Sequence, residues 1–108
     1  MNTVTLTGRL TKDPNTNFTR GRSGTTVSSF TLAVQRRTDK DKADFIRVVS
    51  FGKLAEDVVD KYFCKGMRVG VVGWIQTGSY ENKDGQTVYT TDIIAEELEF
   101  LDTKKDAK

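Results

Sequence analysis

Apolar and polar residues alternate with a period of two along most of this chain, the signature of strands that show one face to a core and one to water. Val4, Leu6, Gly8 and Leu10 alternate with threonines and Arg9, which predicts a first strand; Lys12-Asp13-Pro14-Asn15 is turn chemistry that ends it. Phe18 sits in a short polar segment, followed by the basic, flexible loop Arg20-Gly21-Arg22-Ser23-Gly24. Val27 opens a second strand with Phe30, Leu32 and Val34 on one face and Ser29, Thr31 and Ala33 on the other. That strand ends in Gln35-Arg36-Arg37, and residues 38–43 form a charged loop. In the third strand Phe45, Arg47, Val49 and Phe51 share one face, while Ile46, Val48 and Ser50 share the other.

From Lys53 the period becomes helical. Leu54, Ala55, Val58, Val59, Tyr62 and Phe63 make an apolar stripe opposite Glu56, Asp57, Asp60 and Lys61, and Lys65-Gly66 supplies a cation and a glycine stop. A long strand from Met67 to Tyr80 follows, with Val69, Val71 and Ile75 on one face and Val72, Trp74, Gln76 and Tyr80 on the other. Residues 81–86, with Asp84-Gly85 at the tip, read as a hairpin turn. The last strand, Thr87 to Leu101, is long enough to need a bend or bulge, and residues 103–108 read as a short tail behind one domain over 1–102. Gly8, Gly70 and Gly73 offer the tight curvature of a small closed barrel. Five strands with a helix between the third and fourth predict an all-β OB-fold barrel, whose open sheet face and loops bind oligonucleotides or oligosaccharides.

The third strand carries the chemistry. An arginine between two phenylalanines sits badly in a sealed core, because an unpaired buried guanidinium is costly. The face holding Phe45, Arg47 and Phe51 is therefore expected to be open. Flat rings beside a cation suit an unpaired nucleic-acid strand, whose bases stack and whose phosphates seek positive charge. The rival reading is a half-buried strand with Arg47 capping a carboxylate. For Trp74 and Tyr80 the rival is core or subunit packing.

Charge sharpens the picture. The chain has 108 residues and a net charge of only +2, yet residues 1–53 hold ten Lys or Arg against four Asp or Glu, and the remainder seven against eleven. A fold that gathers the first half on one side presents a positive surface. Arg9, Arg20, Arg22, Arg36, Arg37, Arg47 and Lys53 all lie in that half. With no histidine, His-based acid–base catalysis and His metal ligands are excluded, and a single cysteine allows no internal disulfide. The most apolar run, Val69 to Ile75, is too short to span a bilayer, so no membrane role and a cytoplasmic setting are expected. Asp39, Asp41 and Asp44 resemble a calcium loop only loosely, since Ala43 replaces an oxygen ligand and no glycine follows in register. Gly52-Lys53 lacks the upstream glycine of a phosphate-binding loop. Neither motif calls for a metal or a cofactor.

Three stretches, N-T-V-T-L-T-G-R-L-T-K-D-P, F-I-R-V-V-S-F-G-K-L-A-E and G-W-I-Q-T-G-S-Y-E-N-K-D-G-Q-T-V-Y-T-T, stand in one order and spacing between Asn2 and about Leu101. Together they resemble the bacterial single-stranded DNA-binding protein family. The resemblance implies an OB-fold subunit of a homotetramer that binds and protects single-stranded DNA in replication, recombination and repair, without catalysis. It places Phe45 where the family has a stacking tryptophan, Phe51 and Tyr80 at further stacking positions, and Arg47, Lys53 and Lys65 at basic contacts. Thr38 stands where many members have an aromatic ring, and Trp74 is away from the usual stacking positions, so it stacks on a base or packs at an interface. Members continue through a flexible linker to an acidic tip that recruits other proteins; the ending D-T-K-K-D-A-K makes such recruitment unexpected here. The setting implied is the nucleoid, or the host cytoplasm for a phage-encoded member. The alternatives are a primosome-type accessory protein and an RNA-binding OB domain.

Overall fold

The computed structural model describes residues 1–18 and 25–101, Phe18 through its backbone only, and six strands and one helix are found among them. In chain order these are β1 (Val4–Leu10), β2 (Asn15–Phe18), β3 (Thr26–Gln35), β4 (Ala43–Phe51), the helix α1, β5 (Arg68–Glu81) and β6 (Thr87–Phe100). The helix α1 is wound as a π-helix over Leu54–Val59 and closes with an α-helical turn over Asp60–Tyr62.

The sheet closes on itself. Neighbours run β1-β5-β6-β4-β3-β2, and β1 also pairs with β3, so β1, β5, β6, β4 and β3 form a ring. All pairings are antiparallel except β4 with β6, where Val48 and Val49 lie beside Ile93 and Ile94. This is the expected OB-type barrel with its helix after the third ring strand. Closure depends on close backbone approach. A Cβ on Gly8 would collide with the carbonyl oxygen of Ala33 where β1 meets β3, and one on Gly73 with the carbonyl of Ile94. Gly70 differs from expectation, because a Cβ there would meet Glu99 and Leu101 side chains at an ordinary 3.7 Å. The bulge expected in the last strand is present: Val72 pairs with Glu97 but Gly73 with Ala95, leaving Glu96 as the extra residue of β6.

β2 is the sixth strand, formed where the sequence reads as the end of a turn and a short polar segment. It carries almost no apolar signal; an antiparallel ladder to β3, with Asn15 opposite Ser29 and Asn17 opposite Val27, holds it, and hydroxyls add to that. Thr16 Oγ1 lies 2.8 Å from Oγ of the buried Ser28, while Ser50 Oγ donates to the Ser28 carbonyl at 2.9 Å. These bonds let serines occupy the inner face without stranding a polar atom.

The core fills the ring with inward residues of every barrel strand: Leu10, Phe30, Leu32, Val48, Val69, Val71, Ile93 and Ala95. The helix plugs one end with Ala55, Val59 and Phe63, all buried, and the Phe63 ring meets Phe30 edge-on at 5.5 Å. Tyr62, expected on the same stripe, points out and is exposed. The helix stops at Phe63, whose backbone turns extended, rather than at Gly66. Gly66 instead serves the next turn, where its N–H donates to the Leu10 carbonyl at 2.8 Å.

Candidate nucleic-acid interface

Because residues directly opposite on paired strands share a face, the registers assemble the outer surface row by row. One row runs Ser29–Val49–Ile94–Trp74 across β3, β4, β6 and β5. The next, on the hairpin side, joins Thr31 to Arg47 on β4 and Asp92 to Gln76 on β6 and β5. A third runs Phe45–Ala33–Arg9–Arg68 across β4, β3, β1 and β5.

On this face Phe45 is 69% exposed and Phe51 46%, far more than core phenylalanines such as Phe30 at 4%. Both rings are therefore accessible on the outer face. Arg47 stands between them, its Nε 3.9 Å from Asp92 Oδ1, too long for a hydrogen bond, and its side chain is 57% exposed. The carboxylate biases the guanidinium without holding it. Val49 departs from the open-face expectation: at 6% exposure it is buried, as is its neighbour Ile94. The outer face therefore has an apolar seam beneath its rings, with the half-exposed Trp74 at its end. Trp74 thus combines packing with an accessible ring.

Past Trp74 both β5 and β6 leave the barrel, and every residue from Trp74 to Glu81 is exposed. The two strands continue as a free arm, closed by Asn82, whose Oδ1 accepts from the Asp84 and Gln86 amides at 3.0 and 2.9 Å. Tyr80 stands near the tip, roughly 20 Å from Trp74 at about 3.3 Å per residue, on the face that Trp74 shares. Tyr89 was missed in the sequence. Paired with Ser79 it occupies the arm's opposite face, and it is 80% exposed. Its alternation with Thr91 and Ile93 reads as a core face; only the absence of a barrel beneath the arm exposes it.

The remaining cations are dispersed. Arg36 Nε donates to Asp44 Oδ1 at 2.9 Å, so this guanidinium is partly neutralised, though both groups are about half exposed. Arg37 and Lys53 are exposed, the latter at the start of α1 beyond Phe51. Arg9 is exposed on the outer face and donates from Nη1 to the Gly66 carbonyl at 2.9 Å. Lys65 lies off the sheet, in the turn after α1, with its amide bonded to Asp13. Arg20 and Arg22 lie outside the described residues. Among the described residues no three His, Cys, Asp or Glu side chains gather into a metal-holding group, and no helix is long and apolar enough to cross a membrane.

The profile of the "Single-strand binding protein family" matches residues 1–101. The chain is 52% identical over 103 residues to the single-stranded DNA-binding protein of Clostridium perfringens, covering 95% of this chain and 67% of that one. It is 54% identical over 105 residues to single-stranded DNA-binding protein 3 of Clostridium acetobutylicum, covering 94% and 72% respectively. With single-stranded DNA-binding protein 1 of Staphylococcus aureus the identity is 47% over 108 residues, covering 96% of this chain and 67% of the relative.

Proposed function

Since the chain belongs to the single-strand binding protein family, we propose that it binds and protects single-stranded DNA with little sequence preference and without catalysis. The observation that carries this reading is the exposure of Phe45 and Phe51 on either side of a loosely paired Arg47. Bases stack on the two rings, and Trp74 and Tyr80 extend the platform along the arm. Arg47, Arg36, Arg37 and Lys53 meet phosphates, with Arg9 at the margin of the same face. Stacking tolerates any base because each has a π-face, while phosphate contacts add affinity that salt weakens. Assembly into a homotetramer belongs to the same proposal. It is supported by the exposed apolar pair Tyr62 and Phe100, whose rings meet edge-on at 5.8 Å. The setting that follows is wherever single strands are uncovered during replication, recombination and repair.

Titration of a fluorescent oligothymidine at two salt concentrations tests the reading, with duplex DNA and oligouridine as competitors. The expected result is tight binding to oligothymidine that weakens steeply with salt and resists the duplex. Preferential displacement by oligouridine would point instead to an RNA-binding domain. Light scattering of the free protein gives the subunit number.

A further inference from the structure

The outer face carries one group that opposes the chemistry proposed for it. Among the described residues, Asp92 is the one carboxylate in the rows that hold Phe45, Arg47 and Trp74. The parallel register that sets Val48 beside Ile93 and Val49 beside Ile94 puts Asp92 next to Arg47, and β5 places Gln76 on its other side. A carboxylate at this place repels the phosphates that the neighbouring cation attracts.

The geometry shows what Asp92 acts on. Its Oδ1 stands 3.9 Å from Arg47 Nε, too far for a hydrogen bond yet close enough for charge attraction. The two side chains differ in freedom. Arg47 is mostly exposed on a long stem, whereas Asp92 has a short one and is only 24% exposed, on β6 between β4 and β5. The carboxylate is thus the fixed charge and the guanidinium the movable one. Its partial burial also leaves the pair less screened by salt than two fully exposed charges would be. The pair Arg36–Asp44 is different: there the guanidinium is hydrogen-bonded at 2.9 Å, and both side chains are about half exposed. Arg36 is tied to its carboxylate, while Arg47 is only drawn towards its own.

Resting on the proposed reading of the chain as a binder of single-stranded DNA, we propose that Asp92 is a positioning residue that restrains Arg47. It attracts the guanidinium in the free protein and competes with the phosphate for it in the complex. A phosphodiester oxygen at the usual charge-assisted distance of about 2.7–2.9 Å outcompetes a carboxylate at 3.9 Å, so the guanidinium turns to the strand when the strand arrives. Asp92 then stays behind, partly buried, and draws the guanidinium back as the phosphate leaves. The result is a weaker grip by the central cation and a faster release, with the stacking rings unaltered.

A double-mutant cycle tests this, because it isolates the coupling between the two side chains from their separate effects. Wild type, Asp92→Asn, Arg47→Gln and the double variant are titrated with fluorescent oligothymidine at low salt, and dissociation is timed after adding excess unlabelled oligomer. Urea unfolding checks that each variant is folded. Asp92→Asn keeps the shape and removes the charge; it should bind about 1.5- to 5-fold more tightly, the range for a single weak ion pair, chiefly through slower dissociation. In the Arg47→Gln background the same change should lose most of that gain. Asp92→Glu, which restores the charge, should bind no more tightly than wild type. Asp60→Asn, which removes an exposed carboxylate from the helix, should leave affinity unchanged. Weaker binding by Asp92→Asn would overturn the proposal, since the carboxylate would then be holding Arg47 in place for the phosphate. Unchanged binding would overturn it too. So would an equal gain in both backgrounds, or the same gain from Asp60→Asn, because either means that only net charge matters. Failure of the wild-type protein to bind any oligothymidine would instead remove the proposed function itself.

Discussion

Replacing Phe45 by alanine separates binding from folding more cleanly than any other change on this surface. The ring is 69% exposed, so its removal opens no cavity and uncovers little buried surface. Surface substitutions of this kind usually shift stability by less than about 0.5 kcal/mol. A base stacked on the ring contributes about 1–3 kcal/mol, which corresponds to a dissociation constant about 5- to 150-fold weaker without it. The salt exponent should not change, because a neutral ring releases no counterions. Phe30→Ala provides the contrast: that ring is 4% exposed and packs edge-on against Phe63, so its loss should cost about 3–5 kcal/mol of stability. Oligothymidine titration at several salt concentrations, paired with urea unfolding, reads both quantities. An unaltered affinity in the Phe45→Ala protein would refute the stacking role. A large drop in its unfolding free energy would refute the view of the ring as surface.

Three further outcomes follow from the same geometry. Arg47→Gln should lower the salt exponent by about 0.7 for the one phosphate lost, with stability nearly unchanged because its ion pair at 3.9 Å is loose and the arginine itself is exposed; an unchanged exponent would argue against a phosphate contact. Tyr80→Ala should weaken binding of long oligothymidines by about 1–3 kcal/mol while leaving short ones bound at the barrel alone unaffected, because the ring stands far out on the arm. Gly8→Ala should destabilise the fold by about 1–3 kcal/mol in urea unfolding, since the added methyl meets backbone at the β1–β3 seam, whereas Gly70→Ala should be tolerated.

Much of this was legible locally. Period-two patterning placed Phe45, Arg47 and Phe51 on one face, and the cost of burying Arg47 identified that face as open. Asparagine, aspartate and glycine marked the hairpin turn, and the apolar stripe marked the helix. Less legible was whatever depends on a strand's neighbours. β2 is held by its backbone ladder to β3 and by a hydroxyl pair, neither of which leaves an apolar trace in the sequence. Val49 sits on the outward face yet is buried, because Ile94 arrives beside it through the parallel pairing of β4 with β6. Tyr89 is exposed because β5 and β6 outrun the barrel that would have covered it.

A strand's two faces follow from the geometry of its own backbone, so side-chain order alone determined which rings and cations travel together here. Closure of a barrel depends on contacts between residues far apart in the chain, and it required a glycine at the seam where β1 meets β3. Only that closure decided that Arg9 and Arg68 stand in line with Phe45.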